Sequence, residues 1–154
     1  ACGTGFGLTG EAIFGYGYSS TYSNILNKVS SAGVVASDTT ASGTGNVARG
    51  AAMYGSTGQA IFAFGETSGG KTGISNLCSN TGVVSSDVSA VGTARFYGAM
   101  SAYGGDKAIF AFGYTTGVTN VSNKINNVGT VASDTSGVGS ARSGLAGLGY
   151  SYSA

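Results

Sequence analysis

The sequence predicts an all-β chain of tandem four-stranded units, and three observations carry that expectation. The tripeptide Ala-Ile-Phe starts at Ala12, Ala60 and Ala108, a spacing of 48 residues each time. Runs of alternating or β-branched residues are broken by clusters of Gly, Ser, Thr and Asn, and no stretch carries a helical period. Glycine makes up 29 of 154 residues, with no proline and no Gly-X-Y period, so the excess belongs to turns and flat strand faces rather than to collagen.

The hydrophobic strand comes first. Ala12-Ile-Phe-Gly-Tyr-Gly17 is matched by Ala60-Ile-Phe-Ala-Phe-Gly65 and Ala108-Ile-Phe-Ala-Phe-Gly113. Alternation puts Ala12, Phe14 and Tyr16 on one face and Ile13, Gly15 and Gly17 on the other, which suits a strand lying between two sheets. A second strand alternates Ile25, Asn27, Val29, then Ile74, Asn76, Cys78, then Val121, Asn123, Ile125. The third is Val34 to Ser37 and its equivalents, within Gly33-Val-Val-Ala-Ser-Asp38, Gly82-Val-Val-Ser-Ser-Asp87 and Gly129-Thr-Val-Ala-Ser-Asp134. Each unit then reaches an arginine, Arg49, Arg95 or Arg142, followed by a weaker fourth strand at 50–54, 96–103 and 143–150. The Asp-to-Arg gap is 11 residues in the first unit and 8 in the others, which predicts a three-residue insertion within 41–47.

The boundaries read as 1–11 for the last strand of a preceding repeat, 12–59 for repeat 1, 60–107 for repeat 2 and 108–154 for repeat 3. A chain opening at Ala1 with no leader is expected to be processed or to be a piece of a longer one. Four strands in this length is the size of a β-propeller blade, and three blades fall short of the roughly four to eight that close a ring. A β-solenoid is the alternative architecture.

Charge restricts the function classes. Seven basic and six acidic side chains leave a net charge of +1, so no basic stripe for nucleic acid and no polybasic patch for lipid are expected. No apolar run is long enough to insert into a membrane as a helix. A hydrophobic content of 42% with 9 Tyr and 7 Phe excludes a disordered chain. The absence of histidine removes the commonest general base and metal ligand, so no catalytic residue, metal or cofactor is expected.

Three acids, Asp38, Asp87 and Asp134, and three bases, Arg49, Arg95 and Arg142, recur in register. Identical copies in every repeat favour structural pairs, within or between blades, over catalytic groups. Asn27, Asn76 and Asn123 sit between apolar neighbours and are expected to satisfy backbone groups of the sheet. Cys2 and Cys78 occupy non-equivalent positions, and Cys78 stands where Val29 and Ile125 stand, so it reads as a small core residue. Gly65 to Thr72 spells a phosphate-loop pattern, but a strand rather than a helix is expected to follow it. Glu11, Glu66 and Asp106 read as solvated turn residues, and Asn120-Val-Ser122 is a lone glycosylation sequon.

The order of an arginine, a weak strand ending in Tyr, the Ala-Ile-Phe strand ending in Gly and two outer strands resembles the Kelch-type propeller repeat over nearly the whole chain. Tyr103-Gly-Gly-Asp-Lys-Ala-Ile-Phe-Ala-Phe-Gly113 with Ser133, Asp134 and Arg142 is similar to the Kelch-like arrays of phage tail-fibre, adhesin-like and environmental microbial proteins. One glycine stands where Kelch repeats usually carry a doublet, and the usual tryptophan is absent. The resemblance implies a non-enzymatic structural or adhesive module of an extracellular or virion appendage. The implied partners are the chain itself, as homo-oligomer or polymer, and a cell-surface glycan or receptor. A lectin-like propeller is the alternative, with sites in the variable turns carrying Tyr18, Tyr22, Glu66, Lys71 and Tyr114.

Overall fold

The computed structural model describes residues 1–149, and all regular structure in it is β. Strands β1 (Cys2–Phe6), β2 (Glu11–Ser19), β3 (Thr21–Val29) and β4 (Thr39–Thr40) form an antiparallel meander in that order. The second sheet takes β5 (Gly50–Tyr54), β6 (Gln59–Ala63) and β9 (Ser75–Cys78), while β7 (Glu66–Thr67) and β8 (Gly70–Lys71) make a separate hairpin within the β6–β9 connection. The third sheet is β10 (Ala99–Tyr103), β11 (Lys107–Ala111) and β12 (Ser122–Ile125).

One register recurs in all three sheets. Ala12 faces Val29 and Phe14 faces Asn27; Ala60 faces Cys78 and Phe62 faces Asn76; Ala108 faces Ile125 and Phe110 faces Asn123. Each first strand joins its hydrophobic strand through a short turn, 7–10, 55–58 or 104–106. Gly7 and Gly10 take φ of 66° and 85° there, a region that costs other residues about 1–2 kcal/mol. A turn this tight makes sequence neighbours pair. Residues 2–6 therefore lie in the sheet of the hydrophobic strand that follows them, and a phase that starts at Ala12 divides each sheet between its first and second strands.

Three local expectations are corrected. The fourth strand expected at 143–150 is irregular over 143–149, and Tyr150 lies outside the described residues. The Val34 to Ser37 run and its equivalents are not regular strands but touch their sheets through single bridges, Val29 to Val35, Cys78 to Val84 and Ile125 to Val131. Alternation along the hydrophobic strand also stops early, at a bulge between Gly15 and Gly17, with Tyr16 at φ 61° and its equivalents Phe64 and Phe112 at 59° and 64°. These left-handed aromatics turn onto the neighbouring sheet rather than continuing the pleat: Tyr16 meets Phe62 edge-on at 5.3 Å, and Phe64 stacks on Phe110 at 4.3 Å.

The core lies between sheets rather than within one. Ile13, Tyr16, Leu26, Phe62 and Cys78 fill the first seam, and Ile61, Phe64, Met100, Phe110 and Ile125 the second. Glycine lets the rings close in, since a Cβ on Gly15 would press against Phe62, and one on Gly50 or Gly98 would press into Phe110. The sheets approach one another along their first strands, with β5 beside both β1 and β10.

Candidate functional site

The recurrent Asp, Asn and Arg side chains meet at the seams. At the second seam Arg95 is completely buried. Its Nε donates to the Phe112 carbonyl at 2.9 Å, Nη1 to the Thr93 carbonyl at 3.0 Å and Nη2 to Asn123 Oδ1 at 2.6 Å. Asn123 Nδ2 donates in turn to Asp134 Oδ1 and to the Ala132 carbonyl, both at 2.9 Å. The Thr93 amide and hydroxyl close on the same carboxylate at 3.0 and 2.6 Å. The guanidinium lies 3.8 Å from Asp134 and over the Phe64 and Phe110 rings at 4.5 and 4.8 Å. Arginine suits this place because one planar group reaches four acceptors while its faces stack.

The first seam builds the same clamp from two residues. Backbone equivalence is fixed by one hydrogen bond per unit: the amides of Gly17, Gly65 and Gly113 donate to the carbonyls of Asn46, Arg95 and Arg142. Asn46 therefore occupies the arginine position, eight residues after its aspartate as in the other units, and the expected insertion within 41–47 does not exist. Asn46 Nδ2 takes the Phe64 carbonyl at 3.3 Å, the counterpart of the carbonyl that Arg95 Nε takes. Arg49 enters from three residues later and supplies the rest, with Nη1 to Asn76 Oδ1 at 2.6 Å and Nη2 to the Phe62 carbonyl at 2.8 Å. Dividing the task leaves Arg49 Nε buried without a hydrogen-bond partner. Asn76 holds Asp87 at 2.8 Å, Thr44 seals that carboxylate, and Arg49 lies 4.2 Å above the Tyr16 ring.

Burial acts on every charged member. It pushes Arg95 down to about 10, against the pull of Asp134, so this guanidinium remains a cation at neutral pH, and it lowers Arg49 as well. Burial also works to raise Asp87 and Asp134, but hydrogen bonds from Thr44 and Asn76, or from Thr93 and Asn123, outweigh it and hold both carboxyls below their usual range. The clamp thus runs from guanidinium through amide to carboxylate. Asn76 and Asn123 are its central links as well as partners of the backbone carbonyls of Ser85 and Ala132.

The remaining members lie apart. Asn27 donates to Asp38 at 2.8 Å and to the Ala36 carbonyl at 3.2 Å, but no arginine reaches this pair, and Asp38 is exposed. Arg142 is exposed, over Phe112 at 3.9 Å, with Nη1 on the Ser140 carbonyl at 3.0 Å.

The variable turns do not share one site. Tyr18 and Tyr22 meet edge-on at 5.7 Å and, with Tyr97, wall a cleft of about 580 Å³ floored by Val47, Ala48 and Gly144. Tyr97 carries no repeat signature, so no sequence pattern singles it out. Glu66 and Lys71 face each other across β7 and β8, where Lys71 Nζ donates to the Thr115 carbonyl at 2.7 Å. Tyr114 packs on Phe96 at 5.7 Å. The phosphate-loop spelling at 65–72 forms this hairpin and leads into β9. Burial pushes the free thiols of Cys2 and Cys78 up to about 11, leaving both protonated.

A larger cavity, about 780 Å³, runs between β1, β5, β10 and Gly147 to Gly149. Its walls are mainly glycine, alanine and methionine, and its two charged residues, Asp106 and Lys107, pair with each other at 2.6 Å. No family model and no curated protein matches this chain.

Proposed function

We propose that the chain is a non-enzymatic structural module, a run of Kelch-like propeller blades belonging to an extracellular or virion appendage. The observation that carries the reading is where the repeated polar groups go. Arg49, Arg95, Asn76, Asn123, Asp87 and Asp134 are engaged with one another in fastening one sheet to the next, which accounts for their recurrence without a substrate. The approach of the sheets along their first strands, with a cavity there, supports blades around an axis over a solenoid, in which equal spacing at every strand is expected. The test is immunogold labelling of the source material with antibody raised against the chain. Label on fibres or particle surfaces is the expected result, and label confined to cell interiors would refute the assignment.

The cleft between Tyr18, Tyr22 and Tyr97 favours a second, compatible reading as a glycan binder, because Tyr18 and Tyr97 are 68% and 54% exposed and free to stack on sugar rings. A glycan array with the native chain and Tyr97→Ala tests it. Signal lost in the variant supports the reading, and an array with no signal for the native chain removes it.

A further inference from the structure

We propose that the Arg142 end of one copy docks head-to-tail on the Asn27–Asp38 face of a second copy, forming a third clamp of the kind that joins the sheets within the chain. The proposal deepens the structural reading above and rests on the clamp geometry, independently of any glycan or appendage role.

The two exposed ends are the unmatched halves of one device. Arg142 already holds the conformation of Arg95: its Nη1 bonds the carbonyl two residues back, as Arg95 Nη1 bonds Thr93, and it stacks on Phe112 as Arg95 stacks on Phe64. Ser140 stands where Thr44 and Thr93 stand and offers the same amide and hydroxyl for a carboxylate. On the opposite face Asn27 is already oriented by Asp38 and Ala36, as Asn123 is by Asp134 and Ala132, and Phe14 is 53% exposed where its equivalents Phe62 and Phe110 are fully buried against a neighbouring sheet.

Glycine gives an independent sign. A Cβ on Gly43 would collide with Asn76 and Asp87, and one on Gly92 with Asn123 and Asp134, so both seams need a bare backbone at that point. Gly139 is the third of the series and meets nothing within 4 Å in its own chain. The Asn120 amide, bonded to the carbonyls of Gly137 and Gly139, holds this loop ready. Docking would bring Arg142 to Asn27 Oδ1, Ser140 to Asp38 and Phe112 onto Phe14. The interface is heterologous, so copies close a ring or extend as a chain. Gly147-Leu148-Gly149 lies against β10 with the Gly-x-Gly spacing of Gly3-Thr4-Gly5.

Sedimentation equilibrium of the native chain, of Arg142→Ala, of Asp38→Ala and of the two variants mixed tests the proposal. The native chain is expected to associate, as dimers or longer species, and each variant to associate roughly 30-fold or more weakly. The mixture is expected to recover a 1:1 complex of near-native affinity, because it holds one intact Arg142 end and one intact Asp38 face. Circular dichroism matching the native chain shows that each variant is folded. A native chain that stays monomeric at high concentration overturns the proposal, as does association that both variants retain. Neither result would bear on the location or glycan tests.

Discussion

Arg95→Ala removes the fully buried guanidinium of the second seam and leaves its acceptors behind. The Phe112 carbonyl and Asn123 Oδ1 each lose a donor, Asp134 loses its counter-charge, and a hole opens beside the stacked Phe64 and Phe110 rings. Breaking a buried pair from one side costs about 3–5 kcal/mol. Because the Asp134 side chain keeps 31% of its exposure, water can serve the carboxylate, and the lower end, about 3 kcal/mol, is expected. For a chain of this length that lowers the melting temperature by about 6–12 °C. Thermal denaturation followed by far-UV circular dichroism measures the shift, with Arg142→Ala as the control. At concentrations low enough to keep chains apart, Arg142→Ala should lie within about 0.5 kcal/mol of native. Equal melting temperatures for Arg95→Ala and the control would refute the clamp as a source of stability.

Three more outcomes follow from the same contacts. Arg49→Ala should cost about 2–3 kcal/mol, and adding Asn46→Arg should restore most of it by placing arginine in the backbone position that Arg95 uses; urea denaturation of single and double variants compares them. Asp87 and Asp134 have folded-state pKa values below their unfolded ones, so their contribution is fully present above the unfolded value near 4 and is lost as pH falls through the lower folded values. Melting temperature should therefore drop as pH falls below about 5, and the drop should shrink in Asp87→Asn. Gly92→Ala and Gly139→Ala both force alanine into the left-handed region, but only the first strikes Asn123 and Asp134, so it should be the more destabilising by at least about 1 kcal/mol in dilute chemical denaturation.

Much of this architecture was legible because the repeat keeps its register. Ala-Ile-Phe located β2, β6 and β11, and the recurrent asparagine located β3, β9 and β12, since a pattern seen three times outweighs the weak propensity of any one strand. What could not be read was where a side chain enters from. Arg49 looked like the third member of an aligned series, yet the backbone equivalent is Asn46, and a long flexible side chain reaches the same acceptors from a shifted origin. The bulge at Tyr16 was equally hidden, because a positive φ at an aromatic residue is imposed by the seam it fills and not by local sequence. The recurrence of Asp and Arg points to structural pairing, but the amide that links them is visible only once three strands are brought together.

Under the proposed propeller architecture, the sheets fan out from an axis lined by their first strands. Spin-label distances test it most directly, on the chain with Cys2→Ala and Cys78→Val and labels placed in pairs. One pair, at Thr4 and Ser101, reports the separation of the first strands of sheets one and three; the other, at Lys28 and Lys124, reports the third strands, two positions farther out at about 4.8 Å per strand. Blades around an axis require the outer distance to exceed the inner one clearly. Equal distances would mean stacked layers and would contradict the account.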